Sequence, residues 1–176
     1  TGHDDHRSNE MPPALVRTDL MSTWQQQLPD DVPNHFAINI LPEQVDDFQS
    51  FMDAANVTTA QLYPMVRGRL VEINGTAVRK AVTKEARDDN ALNRELNLTW
   101  TTELQEDNSI LDGRWWQADD SGKPFVSVES KLAERMGINM GDELSFAVGE
   151  QRFTAKVTSI RNVKWDSFRP NFYMVF

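Results

Sequence analysis

The chain carries three histidines, 27 acidic side chains and no cysteine, and its histidines and carboxylates are the first residues to weigh for chemistry. The lack of cysteine excludes disulfides, thiolate nucleophiles and cysteine-ligated metals together. His35 has the side-chain type best suited to acid–base work near neutral pH. It opens an alternating segment with no serine or cysteine nucleophile motif beside it, and it reads as a polar structural residue. The acids form adjacent pairs, Asp30-Asp31, Asp46-Asp47, Asp88-Asp89 and Asp119-Asp120, which suggests calcium or a two-carboxylate site. Neighbouring residues on a helix do not share a face, and no calcium-loop spacing accompanies the pairs. They read as solvated turns and helix starts. His3 and His6 flank Asp4 and Asp5 in a polar terminal stretch that offers no outer shell to hold metal ligands in place. Gly137–Asp142 lacks the lysine and Ser/Thr of a phosphate loop and reads as a helix stop before a strand. The expectation is therefore no catalytic residue, no cofactor, no metal ligand and no ATP site on this chain.

Aromatic residues offer a different kind of chemistry. Trp100, Trp115, Trp116, Trp165, Phe168, Phe172 and Tyr173 concentrate in the second half, where most are expected in the core. Trp115 and Trp116 are adjacent, and adjacent side chains on a strand point to opposite faces. One of the two would then be left for contact with lipid or a protein partner, which makes Trp115 and Trp116 the candidate interaction residues.

The elements that must position these residues alternate between helix and strand. Residues 1–16 read as a polar tail, native or vector-derived, with no apolar core of a secretory signal in Thr1–Glu10. Residues 17–33 form a helical lead-in, since Leu15, Leu20, Met21, Trp24 and Leu28 make an uneven apolar stripe that Pro29 ends. Over 34–78 the pattern is β-α-β. Phe36, Ile38 and Ile40 alternate as a strand, and Leu41, Val45, Phe48, Met52 and Ala55 mark one face of a helix expected to pack on a sheet. Leu62–Ile73 returns as a strand before Asn74-Gly75, the strongest short hairpin signal. Residues 79–94 are a charged linker or exposed helix.

A second, β-rich lobe follows over 95–168. Its expected parts are a strand through Leu96, Leu98 and Trp100, a segment Ile110–Trp116, a short strand Phe125–Val128 and a helix Ser130–Met136 stopped by Gly137. A hairpin closes it, with strands Glu143–Val148 and Gln151–Ile160 joined at Gly149-Glu150 as a type II′ turn. Residues 169–176 form a return strand towards the first lobe. The fold class is α+β.

Composition limits the partners. A formal net charge of −9 disfavours nucleic acid, whose binding depends on Lys and Arg displacing counterions. Apolar residues make up 39% of the chain, enough for a core at a length of 176 residues. The longest uncharged apolar runs, such as Phe36–Ile40 and Phe172–Phe176, fall far short of the roughly 20 residues that cross a bilayer.

An ordered series of short strings carries a family resemblance. Arg17-Thr18-Asp19-Leu20, Trp24-Gln25, Pro33-Asn34-His35-Phe36, Pro42-Glu43-Gln44, Val66-Arg67-Gly68-Arg69-Leu70 and Ile73-Asn74-Gly75 begin it. Leu96-Asn97-Leu98-Thr99-Trp100, Gly113-Arg114-Trp115-Trp116, Gly141-Asp142 and Phe168-Arg169-Pro170-Asn171-Phe172 continue it. Over Arg17–Phe176 the chain resembles the extracytoplasmic domain of a MacB/LolC/FtsX-like ABC transporter permease, in its YbbP-like branch. The resemblance implies a porter-like βαβ lobe and a β-rich lobe with one helix, like the MacB periplasmic core domain. It implies that a second βαβ half completes the first lobe, and that this chain stops before it. It further implies an inner-membrane parent with this domain facing the periplasm, and a cytoplasmic ABC ATPase subunit as partner. The expected role is mechanotransmission, coupling ATPase-driven motion to release or extrusion of a hydrophobic or lipid-linked cargo, with a periplasmic adaptor, enzyme or lipid cargo as further partner. Two other readings stay open: a stand-alone periplasmic binding or scaffold module of the same fold, and a hydrolase using His35 with a carboxylate.

Overall fold

The computed structural model describes residues 35–82, 94–167 and 169–176. The chain divides into two units, Thr1–Ile40 and Leu41–Phe176. Of the first, residues 35–40 are described, and they adopt neither helix nor strand. The strand expected there is corrected: Asn39 sits at φ 60, in the left-handed region, which breaks an extended run. The helical lead-in, the His3/His6 tail and most of the charged linker lie outside the described residues.

The second unit begins with a short 3-10 turn, Pro42–Gln44, leading into helix α1, Val45–Ala54. Asp46 and Asp47 lie in its first turn, where negative charge suits the helix dipole. Strand β1, Val66–Ile73, turns through Asn74-Gly75 into the short β2, Thr76–Ala77. Both turn residues have positive φ, 52 and 75, as a type I′ hairpin requires, so the Asn-Gly signal is read correctly. A single helical turn, α2 at Val78–Ala81, follows. The remaining elements are β3 (Leu96–Thr99), β4 (Asn108–Gly113), β5 (Phe125–Glu129), helix α3 (Ser130–Met136), β6 (Glu143–Val148), β7 (Gln151–Val163) and β8 (Met174–Val175). The content is mixed helix and strand, with sheet predominating, which agrees with the expected α+β class.

Pairing closes the sheet on itself. β1 pairs with β3, β3 with β8, β8 with β5, β5 with β7, β7 with β6, and β6 again with β1. The result is a small barrel, with β2 and β4 attached outside the ring to β1 and β7. Register shifts in the β1–β6, β5–β7 and β4–β7 ladders supply bulges that bend the strands round. The ring is filled by Leu70, Leu98, Val126, Val128, Leu144, Phe146, Ala155, Val157 and Met174, all buried. Phe146 stacks on Phe153 at 5.3 Å and meets Phe176 edge-on at 5.2 Å.

Helix α3 packs its Leu132, Ala133 and Met136 against β5 and β7. The buried Glu129 carboxylate accepts from the Leu132 backbone N–H at 2.7 Å, capping the helix start. Gly137, at φ 66, ends it as expected. The Gly149-Glu150 turn also holds: Gly149 takes φ 56 while Glu150 is not among the positive-φ residues, the type II′ pattern.

Two expectations about the first lobe depart from what is observed. β1 begins at Val66, later than the expected Leu62, and it shares one sheet with β3 and β6 of the β-rich part. Helix α1 has the expected apolar stripe but buries none of its residues, and Phe51 is 70% exposed. The physical reason is the missing neighbour. No strand forms over 35–40, and β1 turns its buried Leu70 and Ile73 into the common core, so α1 has no sheet face to cover among the described residues.

Candidate functional site

The strongest local construction outside the core is the segment that leaves β4. Gly113 holds φ 77 and sits against β7 so closely that a Cβ there would lie 2.2 Å from the Thr158 carbonyl oxygen. This turns the chain sharply, and Arg114 through Gln117 then run outside any strand. The two tryptophans therefore do not alternate across a sheet, which corrects the expectation of opposite faces. Their rings lie together, with centroids 4.3 Å apart and planes tilted by 35°. Trp115 Nε1 donates to the Thr102 carbonyl at 2.9 Å, and Trp116 Nε1 donates to the Thr101 carbonyl at 2.7 Å. Both indoles are half-buried. With each N–H satisfied, the surface that remains is apolar ring, suited to contact with another apolar surface. Trp100, next in the chain to those carbonyls, is 53% exposed.

An ionic brace holds this platform. Asp120 is nearly buried, and its carboxylate accepts from Arg114 at 2.6 and 3.2 Å, from the Gln117 backbone N–H at 3.0 Å and from Lys123 at 3.3 Å. The paired acids Asp119-Asp120 thus separate into one exposed carboxylate and one structural anchor. The Arg114 hydrogen bonds, then the Gln117 N–H, hold Asp120 well below the usual carboxylate range, against the opposing effect of burial. A carboxylate with a depressed folded-state pKa adds stability that is fully present above the unfolded value, near pH 4, and is lost as pH falls further. Asp120→Asn should therefore flatten the acid limb of the stability profile below about pH 4 relative to the parent chain, measured by urea unfolding at stepped pH. An unchanged acid limb would show that the brace does not hold the loop.

A second polar construction is buried between β7, β5, β4 and the segment before β8, and it escaped the sequence reading. Arg161 is fully buried on β7. Its Nε donates to Ser127 Oγ at 3.1 Å, one terminal nitrogen to Asn108 Oδ1 at 2.6 Å, and the other to the Phe172 carbonyl at 2.7 Å. Ser159 donates to the same Ser127 hydroxyl at 2.7 Å. Burial pulls the guanidinium down to about 10 while Glu129 draws it back up, so it stays charged at neutral pH. A signal for it existed. On β7 the odd positions Ala155, Val157, Ser159, Arg161 and Val163 are the buried ones, and Arg161 falls in that buried series. Ending the strand at Ile160 hid the continuation.

The other sequence candidates do not converge. His35 is exposed and lies in no strand, Asp46 and Asp47 are exposed on α1, and Asp30-Asp31 and Asp88-Asp89 lie outside the described residues. Among the described residues no three His, Asp or Glu side chains come together as metal ligands. No helix among them is long and apolar enough to cross a membrane.

No protein-family model matches the chain. Among curated proteins it is similar to the uncharacterized ABC transporter permease YbbP of Escherichia coli (strain K12), with 43% identity over 162 residues. That stretch covers 92% of this chain but 19% of the permease, so the chain spans about a fifth of its relative's length. Over that stretch the chain is similar to one segment of an ABC transporter permease.

Proposed function

We propose that this chain is a non-catalytic, extramembrane module of an ABC-exporter permease, facing the periplasm from an inner-membrane parent. Its task is to couple conformational change driven by a cytoplasmic ATPase subunit to release or extrusion of a hydrophobic or lipid-linked cargo. The observation that carries this reading is the 43% identity to a permease across 92% of the chain. The structure is compatible with it in two ways. A closed barrel braced by a buried arginine suits a body that moves as a unit. The bare apolar stripe of α1 suits a porter-like lobe that another segment of the parent completes.

In this reading Trp115 and Trp116 are the contact point for a periplasmic partner, since tryptophans with satisfied N–H groups make effective interface anchors. The test is co-purification of the full-length parent with its ATPase in nanodiscs, followed by ATP turnover with and without residues 34–176. Deletion should leave a stable complex whose turnover is altered or uncoupled. A parent that binds no ATPase would overturn the reading. Replacing both Trp115 and Trp116 by alanine should weaken the partner's binding about tenfold or more while cooperative unfolding persists. Unchanged affinity in that double variant would remove the tryptophan pair from the interface.

A further inference from the structure

Asn74 does more than turn the chain from β1 into β2. Its backbone N–H donates to the Glu143 carbonyl at 2.8 Å, its side-chain Oδ1 accepts from the Glu143 backbone N–H at 2.9 Å, and its Nδ2 donates to Asp142 Oδ1 at 3.0 Å. One residue thus clasps the start of β6. The other Asp142 oxygen, Oδ2, accepts from the Asn139 backbone N–H at 2.8 Å, so the carboxylate is itself fixed in the turn between α3 and β6. Only one orientation of the Asn74 carboxamide gives its oxygen a donor and its nitrogen an acceptor in that setting.

The Asn74-Gly75 pair also carries a reactivity that the hairpin does not use. A backbone nitrogen attacks the preceding asparagine side chain with least hindrance when it belongs to glycine, which has no Cβ. Asn74 and Gly75 are both exposed, and nothing lies within 4 Å of where a Gly75 Cβ would be. In the attack the Gly75 nitrogen bonds to Asn74 Cγ and gives up its proton, the Cγ–Nδ2 bond breaks, and ammonia leaves. Solvent water then opens the cyclic imide to aspartate or isoaspartate. The clasp opposes the first step. With Oδ1 and Nδ2 both held at β6 and Asn74 at φ 52, the carboxamide must leave its partners before Cγ reaches the Gly75 nitrogen.

We propose that Asn74 is a deamidation site gated by its clasp on Asp142 and Glu143, and that the reaction, once completed, leaves the Asp142 arm of the clasp open. The product replaces the Nδ2 donor by a carboxylate oxygen facing Asp142 Oδ1, so attraction becomes like-charge repulsion. In isoaspartate the main chain also runs through the former side chain, a longer link than a two-residue I′ turn accommodates. The inference uses neither the tryptophan pair nor the permease reading.

The test incubates the whole 176-residue chain at neutral pH and follows the peptide that contains Asn74 by mass spectrometry, which reads deamidation directly. Isoaspartate is scored by enzymatic methylation of the same peptide. Asp142→Ala removes the Nδ2 acceptor and should raise the rate about tenfold or more, the effect of losing one hydrogen bond to a charged group. The chain unfolded in urea sets the ceiling. Gly122→Ala, which perturbs stability away from the clasp, should leave the rate close to the parent's, so that a rise in Asp142→Ala reports local release and not global unfolding. Asn74→Asp mimics the aspartate product and should lower the urea midpoint. The double swap Asn74→Asp/Asp142→Asn restores one donor and one acceptor with their roles exchanged, and should recover at least half of that loss. Deamidation at the parent rate in Asp142→Ala, an equal rise in Gly122→Ala, or a double swap no more stable than Asn74→Asp would overturn the proposal.

Discussion

Gly113→Ala should destabilise the protein by about 3 kcal/mol or more, because a new methyl clash and a left-handed backbone penalty act together. The methyl carbon would meet the Thr158 carbonyl oxygen at 2.2 Å and the Met140 side chain at 2.6 Å, and the residue must hold φ 77. Thr158 lies on β7, in the middle of the barrel's longest strand, so the clash cannot be relieved by a flexible side chain alone. For a chain of this size the loss corresponds to a fall in melting temperature of about 6–12 °C. Gly122→Ala is the internal control. It has a similar φ of 78 but nothing within 4 Å of the added carbon, so it should cost only about 1–2 kcal/mol. Equal losses in the two variants, measured by urea unfolding, would mean that the close approach of β4 to β7 is not what constrains Gly113. The effect should also reach the surface. Gly113 aims the chain into Trp115 and Trp116, so a variant that survives should show altered near-ultraviolet dichroism from the tryptophan pair.

Arg161→Met should cost about 3–5 kcal/mol, the range found when one member of a buried charged network is removed. The substitution keeps side-chain volume but leaves Asn108 Oδ1 and the Phe172 carbonyl without donors, and removes a positive charge that interacts with the buried Glu129. Arg161 reaches elements that are remote in sequence: Asn108 on β4, Ser127 on β5 and Phe172 just before β8. Arg161→Lys retains the charge but offers one ammonium in place of a three-way fork, and should lose roughly 1–3 kcal/mol for the acceptor left unmet. Hydrogen exchange localises the effect. Amides of Met174 and Val175, whose strand follows the Phe172 anchor, should exchange faster in both variants than those of the β6–β7 hairpin. Stability of Arg161→Met equal to that of the parent chain would show that the network is dispensable to the fold.

These two sites differ in how far the sequence announced them. Gly113-Arg114-Trp115-Trp116 stands out as a string, but its geometry was misread. Period-two alternation assumes that the strand continues, and a glycine at positive φ ends it two residues before the pair. Asp120 was grouped with Asp119 as a solvated acid. Only the folded loop reveals that Arg114, six residues earlier, returns to meet one carboxylate and not the other.

Local chemistry fixed the elements whose cause is local. Asn74-Gly75 and Gly149-Glu150 specify hairpin turns through backbone conformations that few other residues adopt, and Gly137 ends its helix for the same reason. The alternation of apolar residues along β6 and β7 specifies strands, and the family resemblance follows from the ordered strings themselves. The tertiary structure decided everything that depends on distant partners. Whether β1 belongs with the helix before it or with β3 and β6 is settled by hydrogen bonds between residues more than twenty positions apart, about which periodicity is silent. Closure of the ring, the buried place of Arg161 and the clasp of Asn74 on Asp142 arise in the same way. A sequence pattern reports which face of an element is apolar, whereas the identity of the neighbour on that face is a property of the whole packed chain.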